Sequence, residues 1–228
     1  MRALVFATAL LVACRPADSA PQAAGAPQGS TPAASAKSDA ADAMLARADQ
    51  GRIQGNVGAT TWIVEVSDFQ CPFCKMWHDS IYPTIKREFI DPGHVRLAYI
   101  NFPLQRHANA VPTAQAAMCA SAQGRFWPMH KALFTSQARW SELTDAAPML
   151  DSMAKAAGVS MPEWRDCVRS GVMQRLIGAD RQRGTDAGVS STPSFFIGDE
   201  VISGVAPLDT FRLAINRARA KSAAAKRP

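Results

Sequence analysis

Two cysteines separated by two residues, Cys71 and Cys74, lie in the stretch DFQCPFCKMW at residues 68–77. A zinc site would need two more ligands, commonly a second closely spaced pair, but Cys119 and Cys167 stand alone and the four histidines are scattered. A purely structural disulfide over so short a loop stabilises a fold little. We therefore predict a thiol–disulfide redox couple, with no metal and no other cofactor, and keep the zinc site and the structural disulfide as alternatives.

The position of the first cysteine favours redox chemistry. Pro72 suits the first position of a helix, so the pattern places Cys71 at the N-cap, where unpaired N–H groups and the helix dipole favour an anion. Such a site lowers a thiol pKa and makes Cys71 the attacking and leaving sulfur. Cys74 follows one turn later, near enough to resolve a mixed disulfide, and Phe73 adds neither charge nor a donor.

The N-terminus is typical of an export signal. Arg2 precedes an apolar run, Ala3–Ala13, which is far shorter than the roughly 20 residues of a membrane span. The run ends in LVAC, which looks like a bacterial lipobox. We expect a signal peptide at 1–13 and lipidation of Cys14, which begins a flexible Ala/Pro/Ser-rich tether at 14–43. An unmodified cysteine in a discarded peptide is the alternative.

Charge gives little evidence of a partner. The chain of 228 residues has a formal charge of +6, but six of its 25 bases follow residue 211, where no acid occurs, and the remaining bases balance the 19 acids. The C-terminal bases are Arg212, Arg217, Arg219, Lys221, Lys226 and Arg227. We expect a monomer that binds no nucleic acid. Export would also place the protein outside the cytosol, where disulfides persist, so its cysteines are interpreted first as redox or structural pairs.

The elements around the motif predict an α/β fold. Thr61–Ser67 and His94–Asn101 are apolar, β-rich runs, and Ser194–Ile197 with Val201–Ser203 indicates a hairpin. A helix follows Pro72, kinked at Pro83. Further helices are predicted at Val111–Ala122, Phe126–Phe134, Thr144–Ala157, Val172–Ala187 and Leu208–Arg219. Another helix is predicted to begin after Ser160, where the sequence resembles a capping box.

Three motifs in order carry a resemblance to a family. DFQCPFC after an apolar strand, QGRFWPMHKALF in the helical region and the late GVSSTPSFFIG together resemble the DsbA-like branch of the thioredoxin family over about residues 52–220. The resemblance implies a thioredoxin-like fold with an inserted α-helical domain. Its two sheet-forming parts would span 44–102 and 176–220, the insert 103–175, and a basic tail 221–228.

The resemblance also implies roles for individual residues. Thr192 and Pro193 match a loop with a cis-proline, whose backbone pairs with an extended substrate; an ordinary turn is the alternative. Glu65 matches an acid that moves protons to or from the buried thiol, unless it is an exposed edge residue. Cys119 and Cys167 match a second disulfide of some relatives, and two free buried thiols are the alternative.

Other conspicuous side chains receive structural interpretations. We expect His78, His107, His130 and Lys75 to be solvated helix residues without a part in the chemistry. The aromatic residues expected to pack in the core or a groove are Trp77, Phe126, Trp127 and Phe134. The sequence departs from DsbA itself, which has Pro-His between its cysteines where this chain has Pro72 and Phe73. An extreme oxidising power is therefore not carried over.

Together these features predict a lipid-anchored thiol–disulfide oxidoreductase on the periplasmic side of the bacterial cell envelope. We expect an oxidase that introduces disulfides into reduced, unfolded or cysteine-containing exported polypeptides and is reoxidised by a membrane redox partner. A reductase or isomerase of the same fold, serving envelope thiol maturation, is one alternative. A thiol-based metal chaperone is the other.

Overall fold

A computed structural model of the chain describes residues 32–225. The expected signal peptide at 1–13, the lipidated Cys14 and the end of the basic tail at 226–228 lie outside the described residues. Within residues 32–225, no helix combines the length and apolar character that crossing a bilayer requires.

The centre of the fold is a five-stranded mixed sheet, with the strand order β1-β3-β2-β4-β5. The strands are β1 Ile53–Gln54, β2 Thr61–Ser67, β3 Val95–Asn101, β4 Ser194–Ile197 and β5 Glu200–Ser203. β2 pairs with β3 in parallel, and the other pairs are antiparallel. β2, read TWIVEVS, lies at the middle of the sheet, as its β-branched composition predicts.

Helices cover the sheet and form a separate layer. Between residues 32 and 225 the α-helices are α1 Pro32–Gly51, α2 Pro72–Ser80, α3 Tyr82–Ile85, α4 Ala110–Ser121, α5 Phe126–Thr135, α6 Gln137–Trp140, α7 Ala147–Ala156, α8 Met161–Ser170, α9 Gln174–Asp186 and α10 Leu208–Ala224. A π-helical turn at Lys86–Ile90 follows α3. The run from α4 to α8 lies between β3 and β4 in sequence, where the helical insert is predicted.

Two apolar clusters stabilise the described chain. One lies between the sheet and α2, α3 and α10, and includes Trp77, Phe195 and Phe211. The other fills the helical layer and extends to the sheet, and it contains both Cys71 and Cys74. The redox pair therefore lies where the sheet and the helical insert pack together.

A buried ion pair fixes the end of α1 against this core. The guanidinium of Arg52 donates to both carboxylate oxygens of Asp180 in α9, and the two side chains are 2% and 0% exposed. Asp180 also accepts from the backbone N–H of Asn101 (3.1 Å) and from its side-chain amide (3.0 Å). This network joins α1, β3 and α9.

The structure departs from the predicted elements at four places. Residues 32–43, expected to be tether, begin α1, whose later residues pack on α4. Instead of a kink at Pro83, α2 ends at Ser80 and a new helix begins at Tyr82, with the proline in its first turn, where its missing N–H costs nothing. α6 and β1 were not predicted, because runs of four and two residues carry too little periodicity.

The helix predicted after Ser160 is confirmed as α8, but the capping box that indicated it is not formed. Ser160 is the N-cap of α8, but its side chain makes no capping hydrogen bond. Its backbone N–H donates instead to the side-chain oxygen of Gln123, at 2.7 Å, and its carbonyl accepts from the same amide. The contact comes from a residue 37 positions earlier, which no local pattern could reveal.

Candidate active site

Cys71 is the N-cap of α2, immediately before Pro72 in the first turn. The φ and ψ angles of Cys71 are −69° and 124°, an extended conformation typical of an N-cap. Cys71 and Cys74 are both free thiols, and both are buried. The Cys71 thiol donates to the carbonyl oxygen of Thr192, 3.3 Å away, and the peptide bond between Thr192 and Pro193 is cis. The β2–α2 loop and the proline loop therefore meet at the first sulfur.

The surroundings of Cys71 favour its thiolate. The Cys74 side chain, which hydrogen-bonds to it, contributes most to lowering the pKa of Cys71 to about 6, while burial works in the opposite direction. Thr192 and the backbone N–H groups of Phe73 and Cys74 lower it further. The direction agrees with the N-cap argument, but the main cause is the second thiol rather than the helix amides.

Cys74 has the opposite acidity. Burial, followed by its interaction with Cys71, raises the pKa of Cys74 well above that of an ordinary thiol. The backbone N–H of Asp68 donates to its sulfur at 3.5 Å. The pair thus consists of one sulfur that ionises readily and one that keeps its proton, as exchange through a single attacking sulfur requires.

Glu65 lies in the central strand β2 and is 0% exposed. Neither carboxyl oxygen has a hydrogen-bond partner among the described residues. Burial raises the pKa of Glu65 to about 8, and the nearby Ser67 hydroxyl, outside hydrogen-bond geometry, offsets this only in part. The alternative of an exposed edge glutamate is therefore wrong, and the carboxyl group is protonated at neutral pH.

Side chains that the sequence did not reveal hold the loop before Cys71. The side-chain amide of Gln137, in α6, donates to the carbonyls of Phe69 (2.7 Å) and Cys71 (3.0 Å). Asp68 accepts from the backbone N–H groups of Gln70 and Leu104, at 2.8 and 2.9 Å. Gln137 is 66 residues from Cys71, so only the fold brings it there.

The prediction that the histidines are solvated is wrong for all three. His78 and His130 are 9% and 1% exposed, their ring centroids lie 5.2 Å apart, and burial lowers the pKa of both. His107 lies 2.7 Å from the Asp68 carboxylate. Lys75 is partly exposed on the surface of α2. The prediction fails because histidine is polar and is therefore expected at the surface, whereas aromatic side chains enclose His78 and His130.

The predicted aromatic packing residues lie where they were expected. Trp77, Phe126 and Phe134 are fully buried, and Trp127 packs against them. Phe73, the aromatic residue between the two cysteines, is not packed in this way and is 54% exposed on the outer face of α2.

Cys119 in α4 and Cys167 in α8 form a disulfide, with an S–S distance of 2.02 Å. It joins two helices of the insert and leaves Cys71 and Cys74 as the free thiols of the described chain. Within residues 32–225, no group of three or more His, Cys, Asp or Glu side chains is arranged to hold a metal ion.

Comparison with known proteins agrees with this geometry. A thioredoxin family model matches residues 47–217. A probable disulfide bond formation protein D of Bacillus anthracis is 26% identical over 164 residues, covering 71% of this chain and 75% of that protein. Oxidised BdbD from Bacillus subtilis superposes with a TM-score of 0.68 at 22% identity, over 75% of this chain and 94% of that one. Wolbachia pipientis alpha-DsbA1 superposes with a TM-score of 0.68 at 21% identity, over 77% and 94%.

These matches confirm the predicted thioredoxin-like fold with a helical insert. They agree with the three motifs and with the two free thiols at the start of α2. The chain belongs to the thioredoxin family, as a thiol–disulfide oxidoreductase of its DsbA-like branch.

Proposed function

We propose that the chain is an oxidase that introduces disulfides into exported polypeptides by exchange through Cys71 and Cys74. The observation that carries this proposal is the contrast between the two sulfurs. The pKa of Cys71 is lowered to about 6, next to the Thr192 carbonyl, and that of the buried Cys74 is raised.

Exchange proceeds in two displacements. A substrate thiolate attacks the Cys71 sulfur of the oxidised pair, the bond to Cys74 breaks, and the leaving Cys74 thiolate takes a proton, for which the neutral carboxyl of Glu65 is the proposed source. A second substrate thiolate then attacks the substrate sulfur of the mixed disulfide and releases Cys71 as a thiolate. The substrate loses two electrons, and Cys71 and Cys74 are left reduced until a membrane redox partner reoxidises them.

The acidity of Cys71 supports the oxidising direction. A stabilised thiolate leaves more readily from the mixed disulfide, and its stabilisation favours the reduced form of the pair, which makes the disulfide a stronger oxidant. Phe73 supplies no imidazole to increase this effect, so we expect an intermediate potential. A potential near that of thioredoxin would favour the reductase or isomerase instead.

The surface beside Cys71 supports unfolded polypeptides as substrates. Phe73 and Met76 are 54% and 51% exposed on α2, and they offer an apolar contact that a folded hydrophilic surface would not fill. The backbone at Thr192, next to the attacking sulfur, is the proposed pairing site for an extended segment. Specificity for one sequence is not expected from such a contact.

The export signal and the LVAC stretch support the location that we propose, on the periplasmic side of the envelope with Cys14 as the lipid anchor. Membrane fractionation tests the anchor. The wild-type chain is expected in the membrane fraction, and Cys14→Ser is expected in the soluble fraction. An unchanged distribution of the variant would contradict the anchor while leaving the redox proposal intact.

The activity is tested by mixing the oxidised protein with a reduced, unfolded polypeptide and counting the remaining substrate thiols. Wild type is expected to oxidise the substrate stoichiometrically, and Cys71→Ser is expected to be inactive. The double variant Cys119→Ala/Cys167→Ala controls for a general loss of cysteines and should retain activity while folded. Equal oxidation by wild type and Cys71→Ser would refute the proposal.

A further inference from the structure

Three buried polar side chains of β2 and β3 have no hydrogen-bond partner among the described residues, and the sulfur of Cys74 lies close to two of them, Ser67 and Tyr99. The carboxyl oxygens of Glu65, the hydroxyl of Ser67 and the hydroxyl of Tyr99 are all buried, and within the described residues none of them has a partner. An unpaired buried polar group costs about 1–3 kcal/mol, so three together demand an explanation.

Strand register places these groups together. Glu65 and Ser67 are two residues apart on β2, so their side chains share one face of the sheet. Tyr99 is the partner of Glu65 on the parallel strand β3. The sulfur of Cys74 lies 3.5 Å from the backbone N–H of Asp68, the residue that follows Ser67.

Ser67 is the group that the other three have in common. Its hydroxyl lowers the pKa of Glu65, of Tyr99 and of Cys74, in each case against a larger effect of burial. It lies outside hydrogen-bond geometry with all of them in the resting thiol state. Catalytic hydrogen bonds are often long before substrate arrives and shorten during reaction.

A serine hydroxyl has one donor and two acceptor positions. It can therefore accept from the Cys74 thiol and the Tyr99 hydroxyl while donating to an ionised Glu65. After a rotation of its O–H bond, it can instead donate to a Cys74 thiolate while accepting from a protonated Glu65. Tyr99 can only hold the serine oxygen in place through its single proton.

We propose that Ser67 is the proton relay between Glu65 and Cys74, with Tyr99 as the residue that positions its hydroxyl. This inference rests on the exchange reaction proposed above. When the bond between Cys71 and Cys74 breaks, the electron pair stays on the Cys74 sulfur. Ser67 passes its proton to that sulfur and takes the proton of the Glu65 carboxyl group, so a thiolate and a carboxylic acid become a thiol and a carboxylate.

The test compares Ser67→Thr with Ser67→Val, which have nearly the same shape and suit a strand equally, but differ in the hydroxyl. Valine also fills the space that a replacement water would need. Single-turnover reduction of the oxidised protein by dithiothreitol is followed against pH, and rates are corrected for the thiolate fraction of the reagent.

Wild type and Ser67→Thr are expected to slow as pH rises through about 8, the pKa to which burial raises Glu65, because the proton donor is lost. Ser67→Val is expected to be about 100-fold slower below that pH and to show no such pH dependence, a loss at the low end of general acid catalysis. Glu65→Gln should behave in the same way. Adding Ser67→Val to Glu65→Gln should slow the reaction no further.

Ser121→Ala is the matched control, since it removes a buried serine hydroxyl that bonds to the Ala48 carbonyl in the helical layer. It is expected to keep the wild-type pH profile. Should Ser67→Val fail to fold, Ser67→Ala is compared with Ser67→Thr by the same criterion.

The relay would be overturned if Ser67→Thr and Ser67→Val gave the same dependence of rate on pH. It would also be overturned if the double variant were slowed by the product of the two single losses. Failure of the proposed function would look different. The protein would then react normally with dithiothreitol but would leave an unfolded polypeptide reduced.

Discussion

The acidity of Cys71 should depend on Cys74 more than on the helix amides. Replacing Cys74 with alanine removes the largest contribution that lowers the Cys71 pKa, whereas serine at position 74 retains a hydrogen-bond donor. We expect wild type to titrate at about 6, Cys74→Ala to move up towards the ordinary thiol value, and Cys74→Ser to remain lower than the alanine variant.

The magnitude decides which assay can reveal this change. A pKa of about 6 makes Cys71 about 90% thiolate at pH 7, against about 3% for a free cysteine of pKa about 8.5. The thiolate fraction of Cys71 is thus roughly 30-fold higher. A thiolate of lower pKa is, however, a weaker nucleophile, and this reduces its intrinsic reactivity about tenfold. An alkylation rate at one pH would therefore change only about threefold. The same stabilisation of the thiolate favours the reduced form of the Cys71–Cys74 pair and would raise its reduction potential by about 30 mV.

The suitable measurement is the titration midpoint itself, from the ultraviolet absorbance of the thiolate or from alkylation across a pH series. The two variants leave Cys71 as the single free thiol of the described chain, so its titration is unambiguous. A wild-type midpoint at the ordinary thiol value would refute the assignment of Cys71. A midpoint of Cys74→Ala equal to that of wild type would refute the role of the second thiol.

Three further outcomes follow from the structure. Burial raises the pKa of Glu65 to about 8, so between about pH 5 and pH 8 the folded chain holds a proton that the unfolded chain has lost. The free energy of unfolding should therefore fall by about 1.4 kcal/mol per pH unit across this range. In urea titrations, Glu65→Gln should abolish this contribution. Asp180→Asn removes the buried partner of Arg52 and leaves its guanidinium only the half-exposed carboxylate of Asp49, so it should cost about 3 kcal/mol of unfolding free energy. Asp151→Asn at an exposed ion pair should cost at most about 1 kcal/mol. Cys119→Ala/Cys167→Ala opens a loop of 48 residues and should cost about 4 kcal/mol in the same titration, and a loss below about 1 kcal/mol would contradict the entropic account.

The sequence predicted those parts of the fold that depend on neighbouring residues. β2 matches the predicted strand Thr61–Ser67 because its β-branched run excludes most alternatives, and α2 begins at Pro72 because proline fixes the first helical turn. The hairpin of β4 and β5 follows from the turn at Gly198, whose φ of 60° favours glycine. Boundaries were less accurate wherever a helix was short, as at α6.

The candidate site was predicted in part. The two cysteines, Glu65 and the proline loop were identified from a motif and a resemblance. The structure brings Cys71 to the proline loop and buries Glu65 beside Ser67. Gln137 was not found, since an amide in a helical region gives no sign that it will reach back across 66 residues to the carbonyl of Cys71. Ser67 was treated as an ordinary strand residue.

The sequence by itself determined that two thiols stand one turn apart at the start of a helix, after a buried strand, because helix starts and strands follow from local sterics and side-chain alternation. Only the tertiary structure decided which groups are deprived of water. Burial of Glu65, Cys74 and His130 sets the direction of each pKa, and burial depends on residues far away in the chain. Acidity is a property of the packed surroundings, so it cannot be read from spacing alone.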